Sequence, residues 1–179
     1  MLTEPLPSTL DIRKAAARGV SISGTLKPLD LQRFRTLLAG DAGNIQAVLS
    51  CSRDEENRYL VQVAIDATVT VTCQRCLESM PLQLDSDNTL AVVWTDEQAA
   101  HLPRHLDPLI VQEEACNLWE LVEDELILAL PAFSYHETDE CKESLAAFSD
   151  PEPEGEDGED RPNPFNVLAQ LKPGNKNKH

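Results

Sequence analysis

The sequence predicts an α+β fold, with a mainly antiparallel sheet, open to barrel-like closure, packed by two principal helices. Three observations predict it. Along residues 59–73, Tyr59, Val61, Val63, Ile65, Ala67, Val69, Val71 and Cys73 share one phase, and Gln62, Asp66, Thr68, Thr70 and Thr72 take the other. An apolar period of two in β-branched residues is the pattern of a half-buried strand. Shorter alternating runs flank it, at 20–26 and 45–53 before it and at 81–84 and 90–94 after it. Residues 117–130 instead place Leu118, Leu121, Val122, Leu126 and Ala129 on one helical stripe, as a helix covering a sheet requires.

Taken in order, the chain starts extended through Pro5 and Pro7, then reaches an Ala-rich run at 12–18. Asp11 can cap a short helix there and Gly19 can close it. Residues 20–26 form a strand. Leu31, Phe34, Leu37 and Leu38 at helical spacing predict a helix over 29–38, capped by Asp30 and stopped at Gly40. Residues 45–53 pair with the strand that follows through the polar turn Asp54, Glu55, Glu56, Asn57. Strands of about 5–6 residues are typical, so the long alternating run is expected to break near 65–68. Thr95 starts one helical turn that Pro103 ends, and 109–111 form a short edge strand. Asn117 caps the last helix, Glu120 completes a capping box, and Pro131 ends it.

One α+β domain is predicted over residues 1–148. Residues 149–161 carry seven acidic residues and no apolar one. Such a stretch cannot bury enough surface to offset its ordering entropy and is predicted to be a disordered linker. Beyond it, residues 162–179 hold Phe165, Leu168 and Leu171 at helical spacing. A short apolar helix after such a linker predicts a docking segment, onto its own domain or onto a partner.

The formal net charge of −16 over 179 residues opposes a phosphate backbone unless the basic residues gather on one face. It suits a basic protein partner, or plain solubility. The first residues show no positively charged start and no apolar core of a leader, and no run spans a bilayer. A cytoplasmic protein with reduced thiols is expected, with no membrane partner and no small-molecule substrate.

The chemistry concentrates in Cys73-Gln-Arg-Cys76, a two-thiol knuckle at the end of the long strand. A structural zinc needs four ligands. The best second half is His136 with Cys141, giving a Cys3His set. The other reading leaves the thiols free, packing the strand end. Cys51 and Cys116 lie in apolar segments and read as core. Thioredoxin-like chemistry wants the thiol pair at a helix N-terminus, whereas this pair follows a strand. Glu120, Glu123 and Asp124 read as a solvated helix face; Glu125, on the apolar stripe, needs a partner such as Arg75. Arg13, Lys14 and Arg18 form the densest basic cluster, either a solvated face near a helix C-terminus or a contact for nucleic acid or an acidic partner. Pro103 between His101 and His105 argues against a helical metal pair.

The knuckle 73–76, the run 122–131, His136 with Cys141, and the closing 163–172 together resemble the YceD family, the bacterial large ribosomal RNA subunit accumulation proteins. The resemblance follows chain order over nearly the full length. It implies a non-enzymatic role in synthesis, processing or stability of 23S ribosomal RNA during large-subunit assembly, with no catalytic residues. Some relatives carry a second two-thiol motif downstream, where this chain has His136 and Cys141, which implies pairing of that segment with the knuckle. The expected partner is a large-subunit precursor, met through a basic ribosomal protein or the RNA. RNA contact would use Arg13, Lys14, Arg18, Arg33, Arg35 and Arg75. Two readings from other classes remain: a zinc- or thiol-dependent RNA-processing enzyme, and an acidic chaperone for one basic client.

Overall fold

The computed structural model describes residues 4–111, 115–137 and 141. The acidic stretch 149–161 and the segment with Phe165, Leu168 and Leu171 lie outside them.

Helix α1 (Ile12–Arg18) follows the short strand β1 (Thr9–Leu10). Asp11 accepts a hydrogen bond from the Lys14 N–H, and Gly19 closes the helix at φ 63°, the left-handed conformation glycine adopts without strain. Strands β2 (Ser21–Leu26), β3 (Gly43–Arg53), β4 (Tyr59–Thr72) and β5 (Ser79–Val93) form an antiparallel meander. After helix α3 (Asp96–Ala100), strand β6 (Asp107–Ile110) joins β5 in parallel. The order β2-β3-β4-β5-β6 leaves β2 and β6 as edges, so among the described residues the sheet is open and does not close into the expected barrel-like form.

Strand β4 runs unbroken through 65–68, where a break was expected. Its backbone is paired on both sides: Ile65 lies opposite Ala47 on β3 and Ser86 on β5. Its odd residues Val61 to Val71 are buried in one core with Ile12, Ala15 and Ala16 of α1 and Leu118, Leu121, Val122 and Leu126 of helix α4 (Leu118–Ala129). Asn117 caps α4, accepting from the Trp119 and Glu120 N–H groups.

The N-terminal segment guards the β2 edge. Leu6 N–H donates to Thr25 O at 3.1 Å and Thr25 N–H to Glu4 O at 2.9 Å. The approach is so close that a Cβ on Gly24 would lie 2.5 Å from the Leu6 backbone. The same segment reaches α4: β1 pairs with β7 (Cys116–Asn117), and the Trp119 indole N–H donates to Leu6 O at 2.9 Å. That two-stranded strap has no periodicity a sequence could display.

The helix expected over 29–38 is shorter. A 3-10 turn (Pro28–Asp30) precedes helix α2 (Gln32–Arg35), and extended Leu31 separates them without a side-chain cap. The cap comes from α4. One Glu123 carboxylate oxygen accepts from the Arg33 and Phe34 N–H groups at 2.6 and 3.0 Å, and the other accepts from Arg33 Nε at 2.8 Å. Glu123, expected on a solvated face, is therefore buried and satisfies the orphan donors of another helix. Glu125 is also buried, and its partner is the Ser86 hydroxyl at 3.1 Å rather than Arg75.

Burial pushes the Glu123 carboxyl up, but the Phe34 N–H, the Arg33 guanidinium and the Arg33 N–H outweigh it, leaving the group below its ordinary value. A depressed carboxyl contributes stability above the unfolded value and loses it as pH falls through the folded one. Glu123→Ala is expected to lower stability by about 2–3 kcal/mol at neutral pH, the range for hydrogen bonds to a charged group. It is also expected to flatten the acid side of the pH–stability curve, read by urea unfolding between pH 3 and 7.

Candidate metal centre

The centre starts where β4 stops. Cys73 continues the buried phase of β4 and is fully buried. The chain then turns over five residues into β5. Cys73 N–H donates to Glu78 O at 2.8 Å, and Leu77 N–H donates to Cys73 O at 2.9 Å. Leu77 takes φ 63°, a conformation costly for a branched side chain. The turn aims the backbone N–H groups of Arg75 and Cys76 at the Cys73 sulfur.

The second half arrives from α4. Leu130 leaves the helix extended at ψ 127°, and Pro131 blocks its continuation. The outgoing chain is fastened to the knuckle by Gln74 N–H donating to Ser134 O at 2.9 Å. His136 Nδ1 then lies 3.3 Å from Cys76 Sγ, and Cys141 Sγ lies 3.5 Å from Cys73 Sγ. All four ligating atoms fall within 4.8 Å of one another. The distant halves paired in the sequence thus meet in space.

The 3.3 and 3.5 Å contacts fit a metal. Tetrahedral bonds of about 2.3 Å to sulfur place ligand atoms roughly 3.5–3.8 Å apart. The chemistry fits too. Burial opposes charge on Cys73, but the N–H groups of Cys76, His136 and Arg75 and the Cys141 thiol outweigh it and hold it down to about 5. Cys141 is pushed up, first by burial and then by its contacts with the neighbouring thiols. One thiolate is ready and a second is held back by its neighbours, and a divalent cation relieves that conflict. Cys51 and Cys116 stand apart as core residues; burial raises both, Cys116 to about 11.

The six basic residues proposed from sequence do not share one element. Lys14 pairs with Asp11 at 2.7 Å, and Arg13 lies over the Trp94 ring at 5.4 Å. Exposed Arg18 ends α1. On α2, Arg33 pairs with Glu123 and Asp124, both at 2.8 Å, and Arg35 pairs with Asp41. Arg75 lies over the Tyr135 ring at 5.0 Å. His101 Nδ1 faces Glu97 O at the end of α3, where a metal pair with His105 was not expected. Sequence reasoning passed over Tyr135 and Phe133; the only signal was two aromatics at alternate positions in a chain with few.

A family profile described as "Large ribosomal RNA subunit accumulation protein YceD" matches residues 61–172. The chain belongs to the YceD family. The match begins in β4 and spans all four cluster residues. A YceD relative from Haemophilus influenzae (strain ATCC 51907 / DSM 11121 / KW20 / Rd), "Large ribosomal RNA subunit accumulation protein YceD", is 32% identical over 170 residues, covering 93% of this chain and 96% of that protein. No solved structure matches the chain.

The arrangement can hold one tetrahedral ion. Metal analysis of freshly purified protein is expected to find about one equivalent, and Cys141→Ser to lose it. Chelation is expected to lower the unfolding temperature of the parent protein and leave that variant unchanged. Because protons compete with the metal for thiolate, retention should fail as pH falls.

Proposed function

We propose that this protein is a non-enzymatic factor that supports synthesis, processing or stability of 23S ribosomal RNA during large-subunit assembly. The observation that carries the reading is the family relationship, which extends over almost all of the chain and almost all of a relative named for large ribosomal RNA subunit accumulation. The cluster of Cys73, Cys76, His136 and Cys141 is assigned to a structural zinc. Four protein ligands complete its coordination, whereas a catalytic zinc keeps one position for water or substrate. This favours a structural role over a zinc-dependent RNA-processing enzyme.

Charge favours a protein partner. A chain of net charge −16 repels phosphate, and Lys14, Arg33 and Arg35 already face carboxylates. A basic ribosomal protein in the large-subunit precursor is the partner this suits. Direct RNA contact by Arg13, Lys14, Arg18, Arg33, Arg35 and Arg75 is the second route. The segment of Phe165, Leu168 and Leu171 is assigned to docking, with residues 149–161 as its tether. A generic acidic chaperone would bind through that tether alone, so deleting residues 150–160 separates the two ideas.

Removal of the protein from its cell is expected to lower 23S relative to 16S ribosomal RNA, and the tagged protein to co-sediment with large-subunit precursors. Partners retained after nuclease treatment would support the protein route. Unchanged 23S levels and no co-sedimentation would refute the assignment.

A further inference from the structure

Next to the thiol cluster the molecule exposes aromatic surface that its own core does not use. Phe133 is 67% and Tyr135 44% exposed. Their rings are parallel within 10°, with centroids 6.5 Å apart. Arg75 stacks over Tyr135 at 5.0 Å, so guanidinium, tyrosine and phenylalanine form a short ladder. The ladder is held in place. Between its two rings, Ser134 accepts a hydrogen bond from the Gln74 N–H, and the residue after Tyr135 is the cluster histidine.

We propose that this ladder docks an arginine-rich segment of a basic protein, with a partner guanidinium stacking on Phe133 as Arg75 stacks on Tyr135. Two features select that occupant. The first is geometric: Arg75 already covers Tyr135, which leaves Phe133, the more exposed ring, open to a partner guanidinium. The second is charge. Exposed Glu78 follows the knuckle, exposed Glu137 follows the cluster histidine, and the chain as a whole carries −16. Such a field attracts a cationic peptide and repels a nucleic acid strand, although nucleobases also stack on aromatic rings. Arginine is favoured over lysine because its planar, weakly hydrated guanidinium lies flat on a ring face.

The inference rests on the protein route proposed above and gives it a surface. Its test uses the full-length protein and a labelled nine-residue peptide of alternating Arg and Gly, with the Lys-Gly peptide of equal charge as reference. Anisotropy titrations near physiological salt are expected to show the Arg peptide binding a few-fold more tightly, the margin by which a flat guanidinium stacks better on a ring than an ammonium does. Phe133→Leu keeps apolar area at an exposed position and should leave the unfolding temperature unchanged while abolishing that preference. Equal affinity for the two peptides would overturn the inference. So would an Arg preference that survives Phe133→Leu, or binding of an unpaired oligoribonucleotide without binding of the Arg peptide. Any of these outcomes, combined with loss of 23S ribosomal RNA when the protein is removed, would defeat the docking surface and leave the ribosomal role standing. Unaltered 23S levels on removal would defeat that role itself.

Discussion

Where Cys73 meets Cys141, at 3.5 Å in a buried site, the end of the central strand is tied to the chain beyond α4. Helix α4 ends at Ala129, and residues 131–137 form neither helix nor strand and bury no apolar side chain. Hydrophobic burial alone gives that segment little reason to stay. Sulfur chemistry gives it one. Three thiols and an imidazole packed within 4.8 Å are mutually unfavourable when several ionise, and a divalent cation makes the same grouping favourable. The position of Phe133, Tyr135 and His136, and so the surface beside the knuckle, follows from that tie.

The rest of the domain is held by more ordinary means, but its acidity is deployed with some care. Most carboxylates of a −16 chain belong in water. Glu123 does not: it lies inside, capping α2 and pairing Arg33. That one residue makes α2 depend on α4, and α4 is strapped in turn to the N-terminal segment through Trp119 and β1. Packing around β4 therefore has the N-terminus, α2 and α4 supporting one another. Removing a cap in this network frees two helices rather than one. Meanwhile cations paired with the chain's own carboxylates are less available to phosphate, which agrees with the proposed route through a basic protein partner.

Much of this was legible in the sequence where the physics is local. The two-residue period of β4, the Asp11 and Gly19 bounds of α1, the Asn117 cap of α4 and the stop at Pro131 all rest on neighbours within a few positions. The grouping was legible for a different reason: a two-thiol knuckle is half of a tetrahedral site, and His136 with Cys141 was the best other half. What escaped depends on partners far away in sequence. The pairing of β4 through 65–68 on both edges is made by residues distant in sequence, which strand-length habits ignore. Glu123 was read by its exposed-looking helical phase, and only the approach of uncapped Leu31 explains its burial. Leu77 at positive φ stands where glycine would have announced the turn. The opened sheet edge at β2 is guarded by a segment of prolines and leucine with no strand pattern.

X-ray absorption at the zinc edge of the purified, unchelated protein tests the central tie most directly. Three thiolates and one imidazole require about three sulfur scatterers near 2.3 Å and one nitrogen near 2.0–2.1 Å, with no bound water. A spectrum of that form would place Cys141 and His136 on the same ion as the knuckle. A shell dominated by oxygen, or one with two sulfurs only, would contradict the tie and leave the segment after α4 without its anchor.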